Sequence, residues 1–215
     1  MSRRIARRSF LAGSARTLGV WTTAGLAGIY PWTAAADESP STVIERFHEQ
    51  LLAVMKEASE LGIRGRYARL APPVESAFNL PFMIQTAVGT EWQKATPEQR
   101  QSLIDAFTHL SVSTYAFRFN GYSGQSFKSL GERPAPSDRV LVDTQIIRPG
   151  EAAVGLIYVT RKSQAGPRIL DVLVDNAISE LARMRSEYRN ILQDEGFDAL
   201  VATLRRKADD LIAAR

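Results

Sequence analysis

The spacing of apolar residues changes abruptly at Asn120-Gly121, and this change constrains the fold more than any other feature of the sequence. Before it, apolar side chains recur every three or four residues, as on one face of a helix. After it, "DRVLVDTQIIRP", "AAVGLIYVTRK" and "PRILDVLVD" read as strands joined by short turns. Beyond Ser179 the helical period returns. The sequence therefore predicts an α+β fold, with an antiparallel sheet of about four strands covered by N- and C-terminal helices.

Helix boundaries are marked most clearly in the segment before the strands. Thr96, Pro97 and Gln99 form a capping box with proline in the first turn, which predicts the start of a long amphipathic helix. The first helix after residue 36, whose apolar stripe runs from Val43 to Ala58, is expected to end near Gly62 and to be followed by a basic connector, "IRGRYARL". Residues 74 to 89 then predict two short helices broken at Pro81.

The first 36 residues differ from the rest in charge and predict an export signal. They contain five arginines and no acid, with "RRSFL" near the start and an Ala triplet at the end. "RRSFL" resembles the twin-arginine export motif, and Ala34-Ala35-Ala36 suits a signal peptidase. We expect cleavage there, leaving residues 37–215 as a single domain. An uncleaved anchor is the alternative, because about 20 uncharged residues could span a bilayer.

The basic balance of the chain comes from this leader. The whole chain has 27 Lys and Arg against 23 Asp and Glu, so removing five arginines leaves a formal charge of −1. No dense run of Lys or Arg follows residue 36, and a nucleic-acid partner is therefore not expected. Cysteine is absent, which excludes thiol catalysis, cysteine metal sites and stabilisation by disulfides in an exported protein.

Motifs for catalysis or metal binding are not found in the sequence. His48 and His109 have no second ligand at helical spacing, and there is no Gly-x-Ser-x-Gly elbow or phosphate loop. Asp105 and Glu91 are better explained as solvated carboxylates on amphipathic helices than as an acid–base pair. We expect no cofactor, no metal and no enzymatic activity. The many aromatic residues fit a filled core as well as a hollow one, and periodicity does not separate the two.

Four stretches resemble a known family: "RYARLAPPVESAFNLPFM", "AVGTEWQKATPEQRQSLIDAFTHL", "YAFRFNGYSGQSF" and "LDVLVDNAISELARMRSEYRNIL". They resemble the toluene-tolerance family of MlaC-like periplasmic lipid carriers, which maintain the outer membrane, and most closely its hopanoid-associated, HpnM-like branch. One departure is Pro167, which stands where the family often has an aromatic residue. The resemblance covers most of residues 40 to 210.

The resemblance implies a soluble periplasmic carrier, which we expect to be a monomer. Such a carrier holds a phospholipid or hopanoid in an apolar pocket enclosed by the fold and exchanges it with membrane-bound transporter components. We predict that the lining comes from the helices and one face of the sheet: Phe82, Met83, Phe107, Leu110, Tyr115, Phe119, Val142, Ile146, Leu156, Tyr158, Val172 and Val174.

Two questions stay open at the level of sequence. Arg64, Arg66 and Arg69 could meet a lipid phosphate at the mouth of the pocket, or form a solvated basic loop. The domain could also be a scaffold that binds a protein partner and no lipid, or an enzyme on a related α+β fold. A scaffold would have a fully packed core, and an enzyme would have titratable groups converging in a pocket.

Overall fold

A computed structural model describes residues 38–163, 166–175 and 178–214 of the chain. The predicted export signal, residues 1–36, lies outside these ranges, and its cleavage stays a prediction. The described α-helices, in chain order, are α1 (Pro40–Lys56), α2 (Ala58–Ala77), α3 (Leu80–Val88), α4 (Pro97–Arg118), α5 (Glu180–Asp194) and α6 (Gly196–Ala213). A 3-10 helix, Gly89–Lys94, follows α3.

Side-chain caps fix the starts of several helices. The Thr96 hydroxyl accepts from the Gln99 backbone N–H at 3.2 Å, and the Gln99 side chain accepts from the Thr96 N–H at 3.1 Å. Both halves of the predicted capping box are therefore present at the start of α4. The side chains of Ser39 and Asn79 likewise accept backbone N–H groups in the first turns of α1 and α3.

The basic connector predicted after Gly62 is wrong, because the chain there is helical. Helix α2 continues through Pro72 and Pro73, although proline removes the N–H donor that a helix interior uses. The predicted break near Gly62 is present only as a kink, with φ of 56° at that glycine. Pro81 occupies the first turn of α3, where its missing donor costs nothing, so it starts a helix instead of breaking one.

The strands form one antiparallel sheet in which neighbours in sequence are neighbours in space. Its order is β1-β2-β3-β4-β5, and the strands are β1 (Ser126–Ala135), β2 (Arg139–Ile147), β3 (Val154–Arg161), β4 (Arg168–Val174) and β5 (Ile178–Ser179). The predicted antiparallel sheet covered by helices is confirmed, and the two-residue β5 brings the expected number of about four strands to five. Such a short strand carries no alternating pattern that a sequence could reveal.

Strand β1 lies at one edge of the sheet and is exposed along most of its length. The register between β1 and β2 shifts around Gly131, whose φ of 122° is accessible mainly to glycine. Lys128, Glu132, Arg133 and Pro134 also lie on this strand. The edge is thus irregular and charged.

The helices form layers that determine which side chains the sheet meets. Helix α1 packs on β1, β2 and β3, while α4 packs between α2 and α6. Helices α3 and α5 pack on each other, and both contact β4. The junction between α2 and α3 is tied to β4, where the Asn79 N–H donates to the Ile169 carbonyl at 2.8 Å. None of the described helices combines the length and the hydropathy needed to cross a membrane.

Candidate functional site

The predicted sheet residues all lie on one face, which we call the inner face. Val142 is paired with Tyr158, and Tyr158 with Val172. Since directly opposed residues project to the same side of a sheet, these three side chains form a row. Leu156 and Val174 form a second pair on this side. Ile146 follows Val142 by four residues on β2 and shares its face.

Burial varies across the inner face. Val142, Ile146 and Tyr158 are almost fully buried, with exposed fractions of 0%, 7% and 3%. Leu156, Val172 and Val174 are half-buried. The predicted residues of this face are therefore apolar and mostly covered, and the less buried ones among them are Leu156, Val172 and Val174.

Two of the predicted helical residues join a cluster of aromatic rings, which we call the ring cluster. The ring centroid of Tyr115 lies 5.3 Å from that of Phe47, 5.6 Å from that of Phe78 and 5.7 Å from that of Phe119. Phe47 and Phe78 meet edge to face at 5.3 Å. The contact geometries are those that aromatic pairs favour, so α1, the end of α2 and the last turns of α4 are bound together here.

The remaining predicted helical residues lie in different surroundings. Phe107 and Met83 are buried, with exposed fractions of 1% and 5%, and Leu110 is half-buried against the same core. Phe82 is half-buried, and its ring centroid lies 5.6 Å from the Arg161 guanidinium carbon. Arg161 is three residues from Tyr158 on β3 and leaves the strand on the opposite face. Phe82 therefore lies apart from the inner-face row.

A buried histidine on α1 packs against the inner face. The His48 Nε2 lies 2.8 Å from the hydroxyl oxygen of Tyr158, and the imidazole stacks on the Phe127 ring at 3.9 Å. Burial lowers the pKa of His48 from its ordinary 6.5 to about 4, so the ring is neutral at pH 7. Burial raises the pKa of Tyr158 well above its ordinary value, with a smaller contribution from Tyr115. A neutral imidazole and a neutral phenol satisfy each other without a charge in the apolar layer.

Sequence reasoning left out four residues that contribute to this layer. Phe47, His48 and Phe78 come from the helical half, and Phe127 comes from β1. The signal for Phe47 was present, since it lies on the apolar stripe of α1 with Ile44 and Leu51. No comparable signal marked His48, because a lone histidine beside a stripe does not reveal its partner.

Two of the three arginines in the basic segment 64 to 69, which the sequence left open as phosphate ligands, bind groups of the protein itself. Arg66 donates through Nε to the Ala116 carbonyl and through Nη1 to the Ala58 carbonyl, each at 2.9 Å. Arg69 pairs with Glu57 at 3.4 Å. Arg64 is exposed. These contacts join α2 to itself and to α4, so the basic segment is mainly structural.

Other polar groups of the described residues form structural contacts. Tyr67, His109 and Asp209 form a chain that joins α2, α4 and α6, with spacings of 2.9 and 3.1 Å. Across the described ranges, no three His, Asp or Glu side chains lie close enough to hold a metal ion. Asp171 accepts from the Leu181 N–H at 3.0 Å and from the Ser179 hydroxyl at 2.5 Å, which anchors the start of α5 to β4.

Two open depressions occur on the described surface. One, of about 330 Å³, lies between α1 and α2 and is bordered by Val43, Arg46 and Pro72 among others. The other, of about 420 Å³, lies on the sheet near Leu130 and Ile157. Neither is lined by a residue predicted to line the pocket.

The fold places the protein among helix-covered antiparallel sheets with an apolar inner face, and comparison with known proteins identifies the family. The model of the family described as MlaC protein matches residues 45–206. The chain belongs to the MlaC family. It is also similar in structure to a phospholipid-binding protein from Ralstonia solanacearum, solved in complex with a phospholipid. The TM-score is 0.71 at 22% identity, over 81% of this chain and 99% of that chain.

Proposed function

We propose that this protein is a periplasmic lipid carrier that binds a phospholipid and moves it between membrane-bound transport components. The observation that carries the proposal is membership of the MlaC family over residues 45–206. The Ralstonia solanacearum protein supports it, since a fold shared over 99% of that chain accommodates a phospholipid there. A binding protein, and not an enzyme, is the function that these relationships favour.

Hydrocarbon chains determine where the lipid binds. Burying a methylene group is worth about 0.8 kcal/mol, so exposing a lipid with about thirty of them to water costs on the order of 24 kcal/mol. A carrier must therefore enclose the chains between apolar walls. The inner face and the ring cluster belong to one hydrophobic core between the sheet and the helices.

Lipid uptake then requires a movement within the core. Val142 and Tyr158 on the sheet and Phe107 on α4 are almost fully buried by their neighbours. Acyl chains reach these side chains only if helices move away from the inner face. Entry begins near Leu156, Val172 and Val174, because these are the half-buried residues among those predicted on the inner face.

The remaining parts of the proposal follow from the leader and the family. Residues 1–36 act as a twin-arginine signal that is cleaved after export, and residues 37–215 form the single lipid-binding domain, which works as a monomer. Phospholipid is the proposed cargo. The hopanoid-associated branch, and hopanoid as cargo, stay predictions from sequence resemblance.

Lipid extraction tests the function directly. The full chain is expressed with its leader, purified from the periplasm without detergent and extracted with organic solvent, and the extract is analysed by mass spectrometry. We expect a phospholipid in an amount stoichiometric with the protein. An unrelated exported protein purified in the same way controls for carry-over. An extract no richer in lipid than that control contradicts the proposal and favours the scaffold alternative.

A further inference from the structure

Three arginines lie side by side at one end of the sheet, and we call them the arginine row. Arg139 on β2 is paired with Arg161 on β3, and Arg161 is paired with Arg168 on β4. Strands lie about 4.8 Å apart, and directly opposed residues project to the same side. The row therefore places three cations next to one another on the face opposite Val142 and Tyr158. Like charges directly opposed across strands destabilise a sheet.

No carboxylate among the described residues offsets these charges. The ion pairs of the described residues involve other cations. Within the described ranges, neither the Arg139 nor the Arg161 side chain makes an ion pair or a hydrogen bond. Two carboxylates on the same face of the sheet are already bound: Asp143 pairs with Arg133 at 3.0 Å, and Asp171 accepts from the Ser179 hydroxyl and the Leu181 N–H. The row thus keeps its positive charge, which favours an anion from outside the chain.

Arg161 has a buried donor without a hydrogen-bond acceptor among the described residues. Its Nε is buried and has no hydrogen-bond partner in the described part of the chain. Its guanidinium carbon lies 5.6 Å from the ring centroid of Phe82, which holds the planar group in place from one side. A buried donor without an acceptor is rare in folded proteins and costs stability. An oriented guanidinium with an unused donor is suited to an oxyanion.

Arg168 has a structural role in addition. It donates through Nη1 to the carbonyls of Glu75 and Ser76, in the last turn of α2. These contacts explain why Arg168 is present. They do not explain Arg161 or the exposed Arg139, since neither makes a hydrogen bond to that turn.

We propose that the arginine row binds a phosphate group, with Arg161 and Arg139 as its main contacts. A phosphate offers oxygens for the Nη donors of Arg161, which unlike its Nε are not buried, and for the Arg139 guanidinium, and it relieves the repulsion along the row. The phosphate is either the headgroup of a bound phospholipid or a free phosphate ion. The headgroup source rests on the proposed lipid-carrier function.

The arginine row lies near the ring cluster, so a lipid bound in the apolar layer can place its headgroup phosphate at the row. Phe78 belongs to the ring cluster and bridges to Ile169 of β4, next to Arg168. Phe82 is one helical turn further along the chain and packs under Arg161. The α2–α3 junction therefore runs from the apolar layer to the cationic row within five residues.

The test uses two probes that isolate the phosphate. The first pair is phosphatidic acid and diacylglycerol with identical acyl chains, offered in mixed vesicles, which differ only in the phosphate. The second probe is inorganic phosphate, titrated by calorimetry. The proteins are the full-length mature chain and its R161Q, R139Q and R161K variants. R205Q is the matched control, because Arg205 is an exposed residue on α6 and its loss changes the net charge equally.

For a headgroup site, we expect the natural chain and R205Q to take up phosphatidic acid about tenfold better than diacylglycerol. R161Q and R139Q should lose most of this preference while still taking up diacylglycerol. R161K, which retains a charge without the planar fork, should be intermediate. If lipid preference is unchanged but inorganic phosphate binding is lost in R161Q and R139Q alone, the row binds a free phosphate ion.

The proposal is overturned if R161Q and R139Q behave like R205Q with both probes. Thermal melting of each variant verifies folding, and Arg139 is exposed, so its variant is expected to fold. The two proposals fail separately. If the protein takes up diacylglycerol and the phosphate makes no difference, the phosphate site is contradicted and the lipid-carrier function is still supported. If the protein takes up neither lipid, the lipid-carrier function is contradicted, while the phosphate titration still decides whether the row binds an anion.

Discussion

His48 on α1 and Tyr158 on β3 meet at 2.8 Å between Nε2 and the hydroxyl oxygen, inside an otherwise apolar layer. The contact ties a helix to the inner face where the proposed lipid binds. Removing either partner leaves a buried polar group without its hydrogen bond, which typically costs about 1 to 3 kcal/mol. The pair thus fixes the position of α1 over the sheet.

Protonation of His48 should make stability depend on pH. Its folded-state pKa is about 4, below the ordinary 6.5, so the unfolded chain binds the proton first as pH falls. The contribution is complete above pH 6.5 and is lost progressively down to about pH 4, by up to about 3 kcal/mol. Urea unfolding at pH 7.5, 5.5 and 4.5 measures it.

The control for this pH dependence is His48→Gln, which keeps a polar side chain but does not titrate. We expect the variant to be less stable than the natural protein at pH 7.5 and to lose less stability on acidification. An equal loss in both proteins would assign the acid sensitivity to other groups.

A charge on the inner face should block lipid binding. Leu156→Lys places an ammonium group where the proposed acyl chains lie, whereas Leu141→Lys makes the same change on the opposite face, since Leu141 is paired with Val159. Both leucines are half-buried, so both variants are expected to fold. Co-purified phospholipid, quantified by mass spectrometry, should fall several-fold for Leu156→Lys alone. Equal lipid content in the two variants would count against the inner face as the binding surface.

Arg66 should matter for stability more than Arg69 does. Arg66→Gln removes two hydrogen bonds to backbone carbonyls and is expected to cost about 1 to 3 kcal/mol in unfolding free energy. Arg69→Gln removes an exposed ion pair with Glu57, which is worth at most about 1 kcal/mol. Chemical denaturation compares the two. A larger effect at Arg69 would mean that the basic segment is not structural in the way its contacts indicate.

The capping box of α4 provides a third stability test. Thr96→Ala removes the acceptor for the Gln99 N–H and should lower the unfolding free energy by about 1 kcal/mol. Gln99→Ala should cost less, and the double variant should cost less than the sum, because each residue completes the same motif. Strict additivity in this denaturation cycle would indicate that the two hydrogen bonds act independently.

The sequence was sufficient where a local rule determined the structure. The capping box at Thr96 predicts the start of a helix, and the alternation of apolar and polar residues in β2 predicts a strand. The structure confirms both. The connector expected after Gly62 was wrong, because α2 packs on α1 and α4 and continues as a helix there, even through Pro72 and Pro73. The two-residue β5 was too short to leave a pattern.

The candidate site was less accessible to sequence reasoning for a different reason. Alternation predicted that Val142 and Ile146 share a face, but only the register shows that Tyr158 and Val172 join Val142 in one row. Phe82 has the same apolar character as Met83, yet it packs against Arg161. Contacts between distant segments depend on the topology of the fold, and the periodicity of a single segment does not predict them.

Strand β1 has a consequence for the behaviour of the protein at high concentration. A long exposed edge offers free backbone donors and acceptors to a second molecule, which is how sheets polymerise. The register shift near Gly131 interrupts that row of donors, Pro134 removes one of them, and Lys128 and Arg133 repel an identical edge. The strand can therefore remain uncovered in solution without acting as a template for fibrils.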